Sequence, residues 1–130
     1  MKAVCETNNI FDLSDSSSVE RIQKYIHLSD GQLNLEKGKE YCIYGILFRD
    51  NSPWYYLCLD EDDESPNPYP SELFRVTDAR LSSCWRLSKE QSCLVFEEWA
   101  NDSSFYENLV DDDPSAQELF KHYQAIMDNE

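Results

Sequence analysis

Apolar positions change their period twice along this chain, and each change marks a change of element. After a polar, irregular start over residues 1–16, Val19, Ile22, Tyr25 and Ile26 fall at helical spacing. Ser17 and Glu20 have the spacing of a capping box ahead of them. A short helix is expected over about 18–28, ended by Asp30-Gly31. Leu33 and Leu35 then alternate with polar neighbours, and Lys37-Gly38-Lys39 reads as a turn. The stretch from Tyr41 to Arg49 is rich in β-formers and apolar on both faces, which predicts a central strand. Gly45 within it marks a bulge or a close backbone approach. Asp50-Asn51-Ser52-Pro53 supplies turn chemistry, and Trp54 to Leu59 returns as the second strand of a hairpin.

The prolines Pro66, Pro68 and Pro70 predict an exposed loop without regular structure from Asp60 onward. Shorter strands follow at Leu73–Val76, Cys84–Leu87 and Cys93–Phe96. The period then turns helical, through Glu97-Glu98-Trp99 and on through Phe105, Tyr106 and Leu109. In the last helix, Asp113 is placed to cap and Pro114 to occupy the first turn. Ala116, Leu119, Phe120, Tyr123, Ile126 and Met127 make one apolar stripe. Helix, sheet, helices is the order of an α+β fold: an antiparallel β-meander with an N-terminal helix and C-terminal helices packed on it. With 130 residues, one domain spanning 1–130 is expected, residues 1–16 being its flexible start.

Composition sharpens this picture mainly through charge. Asp and Glu number 26 against 11 Lys and Arg, a net charge of −15. On a folded surface of about 7,000 Å² this is one net negative charge per roughly 500 Å². Nucleic acid is a poor partner for such a surface, because phosphate binding draws on Lys and Arg. An anionic membrane is disfavoured for the same reason. A basic protein is the natural complement. The five cysteines are odd in number and form no C-x-x-C pair, which suits reduced thiols better than a secreted disulfide framework. The N-terminus lacks the apolar core of a secretory signal, so a cytoplasmic location is expected.

Catalytic and metal signals are weak. His27 and His122 both fall on expected helices, where a solvated or capping role is the plainer reading. Cys84 is the best nucleophile candidate, since Arg80 and Arg86 are near it in sequence and would favour the thiolate. A cysteine beside Trp85 in a strand is more simply core. The acidic run from Asp60 invites a calcium reading, but an EF-hand needs Gly at its sixth position and Glu at its twelfth. Ser65 and Ser71 stand there. Only three glycines occur, and none lies in a phosphate-binding motif. No cofactor or metal is implied.

Charge clustering is the strongest remaining feature. Asp60, Glu61, Asp62, Asp63 and Glu64 form an unbroken acidic run. Residues 97–118 carry Glu97, Glu98, Asp102, Glu107, Asp111, Asp112, Asp113 and Glu118 without one base. Aromatic residues flank both segments, Tyr69 after the first and Trp99 and Tyr106 within the second, and interfaces often combine aromatic anchors with a charged rim. The candidate partner-binding residues are therefore Asp60 to Glu64, Tyr69, Glu97, Glu98, Asp102, Asp111 and Asp112. The first cluster, with no evident structural duty, is the better candidate.

In length, cysteine usage and acid-rich segments such as Asp60–Glu64 and Asp111–Asp113, the chain resembles the small acidic immunity proteins of bacterial polymorphic-toxin and contact-dependent-inhibition systems. The resemblance is one of overall character. It implies a cytoplasmic protein, not an enzyme, that neutralises a cognate, basic toxin by occluding its active site. A second class stays open: an adaptor, inhibitor or DNA mimic acting on a host nucleic-acid-binding protein. A third is a small enzyme using Cys84.

Overall fold

A computed structural model describes all 130 residues and gives an α+β molecule with two antiparallel sheets. A three-stranded sheet has the order β2-β1-β6, from β1 (Lys2–Cys5), β2 (Glu40–Cys42) and β6 (Phe74–Asp78). A five-stranded sheet has the order β5-β4-β3-β8-β7, from β3 (Gly45–Arg49), β4 (Ser52–Leu57), β5 (Asn67–Pro70), β7 (Trp85–Ser88) and β8 (Cys93–Phe96). Around them lie α1 (Ser16–Gln23), α2 (Glu97–Ala100), α3 (Phe105–Val110) and α4 (Pro114–Asp128). The strands thus divide between two sheets instead of running as one meander; β3, β4 and β5 are the meander part.

Several local expectations change for identifiable reasons. The start of the chain is not irregular: β1 is the middle strand of its sheet, with Ala3 and Cys5 fully buried. The expected long strand from Tyr41 to Arg49 breaks at Ile43-Tyr44, where the chain passes from one sheet to the other. Both faces of this stretch are apolar because Ile43, Tyr44 and Ile46 are all buried at the passage. The loop after Asp60 regains order at β5 despite Pro68 and Pro70, since an edge strand can do without their N–H groups. α1 starts earlier than the capping-box spacing implied. Asp15 is its cap, accepting from the Ser17 N–H at 3.1 Å, and the helix stops at Gln23, so His27 lies beyond it.

The β3–β4 hairpin is tight. Arg49 pairs with Ser52, and Asp50 and Asn51 both take positive φ (49° and 64°), the turn that matches the twist of paired strands. Twenty-five buried residues form one core. Phe74 lies between Tyr41 and Tyr55, joining the two sheets. α2 and α3 bring Trp99 and Tyr106 onto Tyr56, while α4 sets Phe120 on Tyr44 and stacks Tyr123 on Phe96. The end of α4 is fastened by Asp128, which accepts from the Tyr44 hydroxyl at 2.7 Å, and by Glu130, which accepts from Ser82 and Ser83. No helix is long and apolar enough to cross a membrane.

Candidate functional site

The acidic run occupies the connection between β4 and β5. Asp60, Glu61, Asp62 and Glu64 are exposed, but Asp63 is half-buried. Its carboxylate accepts from the backbone N–H groups of Leu59 and Asp60 at 3.0 and 3.1 Å. Its carbonyl accepts from Lys121 Nζ at 2.7 Å. The expectation that this cluster has no structural duty therefore fails at Asp63, which shapes the turn that displays the other four. Glu61 lines a groove of about 370 Å³ together with Lys2, Lys39, Tyr44 and Asp128.

In the second segment the acids divide in the same way. Glu98 accepts from the Tyr123 hydroxyl at 2.7 Å. That bond, followed by burial, pushes the Tyr123 phenol up to about 12. Asp102 accepts from the Ser104 N–H at 2.9 Å and sets the turn into α3. Asp112 stands at φ 64° between α3 and α4, accepting from Gln117 Nε2, and Asp113 caps α4 through the Ala116 N–H. Glu97 and Asp111 are exposed and make no side-chain hydrogen bond or ion pair. Tyr69 packs against the core from β5, opposite Tyr55; burial, then the nearby Asp63 charge, raises its phenol pKa.

Two contacts bring the acidic segments together. Lys121 of α4 holds the Asp63 carbonyl, and Tyr106 of α3 donates to the Pro66 carbonyl at 2.7 Å. The acidic loop and the helices of the second cluster are thus adjoining elements. From the sequence Lys121 was missed, and Tyr106 was named only as an aromatic of the second segment. Lys121 carried a signal, as the sole Lys or Arg after Lys89. The four ion pairs, Arg21–Glu72, Lys24–Asp50, Arg75–Glu6 and Arg80–Asp78, use no residue of 60–64 or 97–118.

Of the two arginines near the half-buried Cys84 in sequence, Arg80 is held by Asp78, and Arg86 donates through Nη1 to the carbonyls of Ser83 and Trp85. His122 is exposed on α4, edge-on to Tyr123. No three His, Cys, Asp or Glu side chains converge as metal ligands would. No protein-family model matches the sequence, and comparison with curated proteins and with solved structures found no match.

Proposed function

We propose that the chain is a binding protein whose acidic loop and neighbouring helices meet a basic protein. The observation that carries this reading is the pairing pattern: every ion pair lies outside residues 60–64 and 97–118. Six exposed or lightly engaged acids, Asp60, Glu61, Asp62, Glu64, Glu97 and Asp111, are the contact set. Asp63, Glu98, Asp102 and Asp112 hold the scaffold that displays them. Unneutralised charge of one sign raises the encounter rate with an opposite surface more than it tightens the final complex. In its specific form the reading is an immunity protein that covers the basic substrate site of a cognate bacterial toxin in the cytoplasm.

Affinity capture from the native host, followed by association kinetics, tests both levels. Recovery of a basic toxin encoded next to this gene supports the specific form, and recovery of a host nucleic-acid-binding protein supports the adaptor or mimic instead. Against the captured partner, the combined variant Asp60→Asn, Glu61→Gln, Asp62→Asn, Glu64→Gln is expected to associate about tenfold more slowly at low salt, with a flatter salt dependence and a similar dissociation rate. Asp63 is left intact so that the turn persists. An unchanged association rate would remove the loop from the interface.

A further inference from the structure

The arginines of this acidic chain are not equally engaged. Arg21 pairs with Glu72, Arg75 with Glu6, Arg80 with Asp78, and Arg86 with two backbone carbonyls. Arg49, the last residue of β3, differs from all four: aromatic rings hold it. Its guanidinium carbon lies 4.7 Å from the ring centroid of Tyr25 and 4.9 Å from that of Trp54. The fold makes this arrangement from two sources. Arg49 pairs directly with Ser52, so Trp54 is its diagonal neighbour across the ladder. Tyr25 comes from the turn after α1 and meets Trp54 in a T-shaped contact at 5.5 Å.

Trp54 is 1% exposed, and its indole N–H is a donor without an acceptor. Arg21 and Lys24 are matched by Glu72 and by Asp50, which also accepts from the Tyr25 hydroxyl at 3.0 Å, while Arg49 has no ion-pair partner of its own. Tyr25 is 41% exposed, so an incoming group can reach the cluster from solvent. Arginine, tyrosine and tryptophan are the residues most often found at the energetic centre of protein interfaces.

We propose that Arg49, with Tyr25 and Trp54, is a receptor for a carboxylate supplied by a protein partner, an Asp or Glu side chain or a chain terminus. The planar guanidinium fork matches a planar carboxylate, and stacking on rings orders it in advance. The surrounding negative field opposes a polyanion such as nucleic acid but tolerates one carboxylate on an otherwise basic surface. The proposal goes beyond the acidic-face reading, and its test needs no partner.

Nitrogen–proton spectra of the full chain can follow Arg49 Nε–H and the Trp54 indole N–H during addition of sodium acetate, with sodium chloride at matched ionic strength as the reference. The expected result is a saturating shift of the Arg49 signal with acetate and only a small linear drift with chloride. In Arg49→Lys, which keeps the charge and loses the fork, acetate binding read from the Trp54 and Tyr25 signals should weaken by about threefold or more. It should vanish in Arg49→Gln, with near-ultraviolet circular dichroism unchanged. Equal, non-saturating shifts with acetate and chloride would overturn the site. Saturation by inorganic phosphate with no response to acetate would overturn the carboxylate assignment.

Discussion

A Cβ on Gly45 would stand 2.9 Å from Val95 Cγ1, 3.2 Å from the Leu94 carbonyl and 3.2 Å from Tyr56 Cδ2. Val95 and Tyr56 are core residues and the third neighbour is backbone, so none of the three can easily give way. Gly45→Ala is therefore expected to destabilise the protein by about 1–3 kcal/mol through overpacking. In urea unfolding, the midpoint should fall with the slope unchanged; a midpoint equal to wild type would mean that β8 can shift away. The glycine stood out in the sequence, but bulge and close approach have the same sequence signature, and the β3–β8 pairing decides for the second. The same limit holds at Asp15 and Ser17. Either could cap a helix, and it is the carboxylate of Asp15, receiving the Ser17 N–H and both serine hydroxyls of Ser17 and Ser18, that does so. Arg49 was still less legible, because its site joins a hairpin diagonal to a residue 24 positions earlier, Tyr25.

At the scale of elements, α4 was the most legible because its cap, its proline and its apolar stripe agree. Asp113 also belongs to an acidic segment, which makes its two roles separable. Asp113→Ala should cost about 1 kcal/mol by removing the cap, whereas Asp113→Asn, which can still accept from the Ala116 N–H, should cost much less while deleting the same charge. Equal losses in urea unfolding would show that charge, not the hydrogen bond, matters at this helix start. The strands were harder to read where they are short or sit at an edge. β1 has four residues, too few for a period-two pattern to stand out, although Ala3 and Cys5 alternate inward. β5 was hidden by prolines that exclude a central strand but not an edge one. The acidic segments were legible as composition. Their meeting was not, because it depends on Lys121 reaching Asp63 across 58 residues and on Tyr106 reaching Pro66 across 40.

For the whole molecule, the charge sets a conflict between long-range repulsion and local bonds. Taken as a sphere of radius about 18 Å, a net charge of −15 gives a repulsion that opposes folding by on the order of 10 kcal/mol at about 10 mM salt and a few kcal/mol at about 1 M. The ion pairs that salt also weakens are few and mostly exposed, and such pairs contribute little each. Repulsion wins, so sodium chloride should raise the melting temperature at neutral pH. Acid acts in two stages. From neutrality toward the sequence pI of about 4.3, the net charge shrinks, and stability at low salt should rise. Below that, the local bonds decide. Hydrogen bonds from the Ser17 and Ser18 hydroxyls hold Asp15 below the ordinary carboxylate range, and those from Arg80 do the same for Asp78. Partial burial pulls Glu130 upward, but hydrogen bonds from Ser82 and Ser83 leave it lowered. A carboxyl whose folded-state pKa is depressed contributes stability above its unfolded pKa, near 4, and loses it as pH falls through the folded value. Melting followed by circular dichroism from pH 7 to about 2, at about 10 mM and 1 M sodium chloride, should thus show a maximum near the pI at low salt. High salt should flatten the neutral limb and leave the acid limb in place. A melting temperature that falls with salt at pH 7 would mean that the ion pairs, with Arg21–Glu72 the most sheltered of them, outweigh the net charge.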